Sequence, residues 1–198
     1  LAQEPVLNHV AVKEAVLPNQ RHPGADTLLG PPMRSTGQHM GSGADFGMAY
    51  AKAELAAGEA LPTAGMVFLS THDRDKAALV PVARNLAALG FRLIATTGTA
   101  SLLRAHGLEV EAILKVHEGR PNVEDAIRSD RIQLIINTPI GRQAAHDDKY
   151  LRRAALDYAV PTVTTLAGAR AAVEAITTLQ SQELTVAALQ DIHTPAGR

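Results

Sequence analysis

Residues 91–115 read FRLIATTGTASLLRAHGLEVEAILK, and this stretch decides the fold. Phe91–Ala95 is a short apolar run of strand length. A helix follows from Ala100 to His106, stopped by Gly107, and Val110–Lys115 is again a strand. A strand, a short helix and a second strand, separated only by turns, form one right-handed βαβ unit.

Working outward, the same alternation continues on both sides. Upstream, the apolar run Met66–Ser70 precedes a helix from Asp75 to Leu89 that Gly90 ends. Downstream, a loop through Gly119-Arg120-Pro121 leads to a helix over Val123–Arg128 and a fourth strand over Ile132–Ile136. A helix over Asp148–Tyr158, a fifth strand over Val160–Thr164 and a helix over Leu166–Thr178 follow. The expectation is an α/β fold, with a Rossmann-like five-stranded parallel sheet covered by helices on both faces. It occupies residues 61–198, with the form after Thr178 left open between strand and helix.

Residues 1–43 differ in character. Val10, Val12, Glu14 and Val16 alternate as a half-buried strand would. Around them lie turn formers: Pro18, Pro23-Gly24, Gly30-Pro31-Pro32, Gly37, Gly41 and Gly43. So few apolar residues make no core alone, so this segment is expected to belong to another domain. The start at Leu1 rather than Met fits a piece of something longer. Residues 44–60 read as a connecting helix, with Asp45 as N-cap, Phe46–Ala57 helical and Gly58 closing it.

Composition narrows the function. With 19 basic and 20 acidic residues the net charge is −1, and aromatics are 3%. Neither a basic stripe nor a stacking platform for nucleic acid is present. The absence of cysteine excludes disulfides and thiolate metal sites and fits a reducing cytoplasm. No apolar run is long enough to cross a bilayer, and no signal peptide opens the chain. The eight histidines, His9, His22, His39, His72, His106, His117, His146 and His193, show no pair at ligand spacing. They read as surface or capping residues, and no metal site and no catalytic residue is assigned. No phosphate loop, nucleophile elbow or His-Glu-x-x-His helix occurs.

The polar residues gather where the strands end. Strand one runs into Thr71-His72-Asp73-Arg74-Asp75-Lys76, strand two into Thr96-Thr97-Gly98-Thr99, and strand three stops at Lys115. Strand four gives Asn137-Thr138 and strand five Thr164-Thr165. In a parallel sheet, ligands sit outside the carboxyl ends of the strands. Hydroxyls, an amide, two lysines and helix N-termini along that edge suit a small anion. Each threonine alone would read as an N-cap and Lys76 alone as a solvated charge. The coincidence of all five strand ends favours a site.

At these residues the sequence resembles a known family. The strings Asp73–Lys76 and Ala95-Thr96-Thr97-Gly98-Thr99-Ala100 are similar to the methylglyoxal-synthase-like domain. Lys115-Val116-His117-Glu118-Gly119-Arg120-Pro121-Asn122, Ile136–Arg142, Tyr150–Ala155 and Thr164-Thr165-Leu166 narrow this further. They resemble the C-terminal allosteric domain of carbamoyl-phosphate synthetase large subunits. Val12–Pro18, Leu28–Pro31 and Met33–Gly37 resemble the end of the second ATP-grasp unit in those proteins. The resemblance covers about residues 10–175.

It implies a regulatory domain within an enzyme making carbamoyl phosphate from bicarbonate, glutamine-derived ammonia and ATP. ATP with Mg or Mn would belong to the parent subunit, and this fragment would carry no cofactor. The implied partners are the rest of the large subunit and a glutaminase small subunit, with an oligomer left open. By motif position Lys76, Thr96, Thr99, Lys115, Asn137 and Thr138 correspond to a pocket for UMP or IMP. Glu14, Asp147 and Thr164 match positions used for ornithine. Two positions depart from the family pattern: Pro139 and Asp148 stand where nucleotide-responsive relatives often carry hydroxyls, and a carboxylate facing a phosphate repels it. Two alternatives remain. One is a methylglyoxal-synthase-type lyase acting on a triose phosphate. It would need a carboxylate base in the loop after strand four, where Thr138-Pro139-Ile140-Gly141-Arg142 has none. The other is an interaction domain without an effector.

Overall fold

The computed structural model describes residues 8–16, 37–138 and 149–192. The helix after Asp45 forms because its side chain accepts from Met48 N at 2.8 Å, and it ends at Gly58 in the left-handed conformation. This helix, α1 (Phe46–Ala57), is preceded by the strands β1 (Val10–Val16) and β2 (Gly37–Gly43), which pair antiparallel from Val10↔Gly43 to Val16↔Gly37. Gly37, Gly41 and Gly43, expected as turn residues, are therefore in a strand. The cause is steric. A side chain at Gly41 would collide with the backbone of Ala49 and Ala53, and one at Gly43 would lie 2.8 Å from Ala49 N. Glycine lets β2 lie directly against α1.

The remaining elements are β3 (Met66–Thr71), α2 (Lys76–Ala88), β4 (Arg92–Thr96), α3 (Thr97–Ala105), β5 (Val110–Ile113) and α4 (Val123–Arg128). They continue with β6 (Leu134–Thr138), α5 (Lys149–Asp157), β7 (Thr162–Val163), α6 (Leu166–Ser181) and the single turn α7 (Leu189–Ile192). β3 to β7 make one parallel sheet in the order β5-β4-β3-β6-β7. The expected α/β class, strand number and parallel pairing are all present.

Alternation along the strands assigns the two faces. Val67, Leu69, Leu93, Ala95, Leu134 and Ile136 pack with Leu79, Ala83 and Leu86 of α2, Leu103 of α3 and Ile176 of α6. Met66, Phe68, Ile94 and Ile135 pack on the other face with Val123 and Ile127 of α4 and Leu151 and Ala154 of α5. Central strands buried on both sides read as continuous apolar runs, which is how they stood out in the sequence.

Several boundaries differ from the expected ones. α3 opens at Thr97 rather than Ala100, so Gly98 and Thr99 form its first turn. β5 ends at Ile113, and Lys115 lies beyond it. β6 runs through Asn137 and Thr138, held by the pairings Ser70↔Asn137 and Thr71↔Thr138. β7 keeps only two residues of the expected five, as befits an edge strand.

α1, expected as a connector, packs on α6. At Gly47 a side chain would collide with Thr178 Oγ1 and lie 3.0 Å from Glu174 O. Because Gly41 abuts backbone and not movable side chains, Gly41→Ala is expected to cost about 1–3 kcal/mol through overpacking. Urea unfolding of the full chain measures this, and an unchanged midpoint would contradict the close packing.

Candidate functional site

The parallel sheet places all its strand carboxyl ends on one edge. The order reverses between β3 and β6: the next strand in sequence after β3 lies to one side, while β6 and β7 lie to the other. In parallel sheets ligands sit outside the strand ends at such a switch point, here just beyond the paired ends Ser70-Thr71 and Asn137-Thr138. Among the described residues the hydroxyls of Thr71 and Thr138 are shielded from solvent and have no hydrogen-bond partner.

On one side of the switch point, Thr96 ends β4. It is buried and donates to Thr99 Oγ1 at 3.2 Å, so it does not cap α3. The first N–H groups of a helix have no intrahelical acceptor, and here they point along the strand-end edge. Lys76 opens α2 and reaches across to the same place: a side-chain carbon at Gly98 would be 3.0 Å from Lys76 Nζ. Lys76, Thr96 and Thr99, drawn from three elements, thus surround the start of α3.

Lys115 arrives by a tightly tied loop. Its backbone N–H donates to Glu118 Oε2 at 2.8 Å, closing the 3₁₀ turn Val116–Glu118. Asn122, almost fully buried, ties the far end. Its Nδ2 donates to Gly119 O at 2.8 Å, and its Oδ1 accepts from Glu124 N at 3.0 Å at the start of α4. Asp125 completes this capping box by accepting from Asn122 N at 3.0 Å. Lys115 and His117 line a small cleft with Ser70 and Thr96. His117 and Ser70 are residues that sequence reasoning passed over. Nothing in a lone exposed histidine or a strand serine marks it, and only the loop's closure brings the two beside Lys115.

Electrostatics unify the edge. Lys76 Nζ forms an ion pair with Asp73 Oδ1 at 2.7 Å. The Asp73 carboxyl is held below the usual carboxylate range first by Lys76, and also by His72 and Lys115. One carboxylate therefore sits chiefly in the field of Lys76. His72 also accepts from Arg74 N at 3.3 Å through Nδ1, a capping role.

Of the second expected group, Glu14 lies on β1 and Thr164 directly follows β7. Glu14 on β1 raises the affinity of both Glu54 and Glu59 for protons. Glu59 takes a backbone hydrogen bond from Thr162, two residues before Thr164. Glu59 thus stands between Glu14 and the start of β7. Glu54 and Glu59 were not singled out by sequence reasoning. Asp147, Pro139 and Asp148 lie outside the described residues, as does the loop where a lyase base was sought beyond Thr138.

Residues 78–164 match the model of the MGS-like domain. Over nearly its whole length the chain is similar to a part of the carbamoyl phosphate synthase large chain. It is 57% identical over 192 residues to the large chain of Synechocystis sp., covering 96% of this chain and 18% of that one. To the C-terminal section of the large chain from Methanopyrus kandleri it is 53% identical over 185 residues, covering 93% and 34%. To the Archaeoglobus fulgidus large chain it is 51% identical over 188 residues, covering 94% and 18%. The chain thus spans less than a fifth of the Synechocystis and Archaeoglobus relatives. Among solved structures, a methylglyoxal synthase from Elizabethkingia anophelis NUHP1 aligns with 57% of this chain at 22% identity, TM-score 0.48.

Two expectations follow. A shielded hydroxyl without a partner is a cost to the unliganded fold, so Thr71→Val should raise stability by about 1 kcal/mol in urea unfolding. A loss of that size would show the hydroxyl to be bonded. The second concerns Glu54, whose carboxyl is pushed up from 4.5 to about 7, chiefly by burial and further by Glu14 and Glu59 against the bond from Tyr50. The folded chain keeps a proton that the unfolded chain releases across that window, so this contribution to stability is lost as pH rises from about 4.5 to about 7. Relative to the unmodified chain, Glu54→Gln should gain stability across the window and then level off. A pH-independent difference in unfolding midpoint would contradict the assignment.

Proposed function

We propose that this chain is the effector-binding, regulatory portion of a carbamoyl phosphate synthase large chain, and that its strand-end crevice holds a nucleoside monophosphate, UMP or IMP, by the phosphate. The observation that supports this reading most is the approach of Lys76 to the uncapped start of α3, with Lys115 lining a cleft beside Thr96. Such a cluster is arranged for an anion with several acceptor oxygens. Thr96, Thr99, Asn137 and Thr138 would orient the ligand, and the unpartnered hydroxyl of Thr138 would meet it.

In this reading the activity belongs to the rest of the subunit, an ATP-dependent ligase using Mg or Mn with a glutaminase partner subunit in the cytoplasm. This chain adjusts that activity and contributes no reacting group. A second effector, ornithine, is favoured by one observation: the acidic group of Glu14, Glu54 and Glu59 beside the start of β7 suits an ammonium. Thr164 and Asp147 would complete that site.

Calorimetry on the full chain with UMP, uridine, IMP and ornithine tests both readings. UMP should bind far more tightly than uridine, and the difference should shrink as salt is raised. Lys76→Ala should weaken UMP roughly ten- to a hundredfold, and the more exposed Lys115 should matter less. Equal affinities for UMP and uridine would remove the phosphate reading. Turnover of a triose phosphate would replace it with the lyase.

A further inference from the structure

The anion site already contains an anion. Asp73 leaves β3 two residues after the sheet ends and folds back through the 3₁₀ turn Asp73–Asp75, so that its carboxylate meets Lys76 three positions on. The contact is short, 2.7 Å, and its partners are unequally placed: the Lys76 side chain is 21% exposed, whereas Asp73 is 87% exposed. The lysine is fixed against α3 by its approach to Gly98, while the carboxylate stands in water and is free to leave. His72 and Lys115 act on the same carboxylate from the preceding residue and from the loop after β5.

From this geometry we infer that Asp73 is an affinity-setting residue, a tethered carboxylate that occupies the phosphate position at Lys76 and must be displaced by any anionic ligand. The inference rests on the phosphate-binding reading of the crevice. The neighbouring acid does not share this role, since Asp75 leans on Arg74 at 3.7 Å. Two consequences follow from mass action and charge. First, the site binds its ligand less tightly than its cations alone would allow, because an intramolecular competitor is always at hand. Second, the competitor carries a single charge, so it yields more readily to a phosphate dianion than to a monoanion. The site thus discriminates by ligand charge as well as by shape.

The test is calorimetry of the full chain with two probes, UMP and inorganic phosphate, at low and moderate salt. Asp73→Asn should tighten both on the order of two- to fivefold, the range an exposed charge contact supports. The gain should fade with salt and should be absent when Lys76→Ala is combined with it. Asp75→Asn, which removes the same charge one turn position away, should leave both affinities unchanged.

Weaker binding by Asp73→Asn would overturn the inference and make Asp73 a ligand-binding acceptor. Equal tightening by Asp75→Asn would also overturn it, by reducing the effect to net charge. Unaltered affinity in Asp73→Asn, with UMP still preferred over uridine, would defeat the inference alone and leave the nucleotide reading standing. Tighter binding of phosphate by Asp73→Asn than by the unmodified chain, without any preference for UMP over uridine, would uphold the displaced carboxylate and defeat the nucleotide reading. If neither probe binds either form, both fail together.

Discussion

Right-handed crossovers between parallel strands constrain everything else in this chain. Each must return the backbone to the same end of the sheet, so every strand finishes on one edge and the helices that follow β3, β4 and β7 begin there. That edge collects polar groups: the uncapped start of α3, where Thr96 makes no side-chain cap, and, among the described residues, the shielded hydroxyls of Thr71 and Thr138. A binding site at the carboxyl ends thus follows from the connectivity, and the particular side chains determine only what it binds.

The chain places positive and negative chemistry in different parts. Lys76 and Lys115 lie near α3, with the exposed Asp73 between them. Glu14, Glu54 and Glu59 cluster where β1, α1 and the start of β7 come together. A net charge of −1 conceals this arrangement, because nearly equal numbers of each sign cancel in the sum. Whole-chain charge is therefore silent about where each sign gathers.

Much of the sheet could be read from sequence because its strands are buried on both faces. Val67, Phe68, Leu69, Ile135 and Ile136 have no solvent side, so they form apolar runs that no helix of this length would show. Helix ends were legible where one local interaction fixes them, as at Asp45, Gly58 and Asn122. The strand-end residues of the site were legible for the same reason, since a polar residue closing an apolar run is conspicuous. What was not legible depends on distant partners. Gly41 and Gly43 look like turn residues until α1 is laid against them. The first turn of α3 contains Thr97, Gly98 and Thr99, poor helix formers held there by tertiary context. Asp73 stood in the string at the end of strand one without a role of its own, and its contact with Lys76 appears only when the turn closes.

The helix α1 has a further mechanical consequence. Gly41 of the hairpin abuts its backbone near Ala49 and Ala53, and its own Gly47 abuts α6 at Glu174 and Thr178. Its buried residues are small: Gly47, Ala49, Ala51 and Ala53, with Met48 the one long side chain among them. Joints of this kind have no rotamers to absorb a shift, unlike the leucine and isoleucine contacts within the two cores. The hairpin, α1 and α6 are consequently packed closely, and because α6 begins just after β7, a shift of the hairpin would reach the sheet's carboxyl edge through α1 and α6.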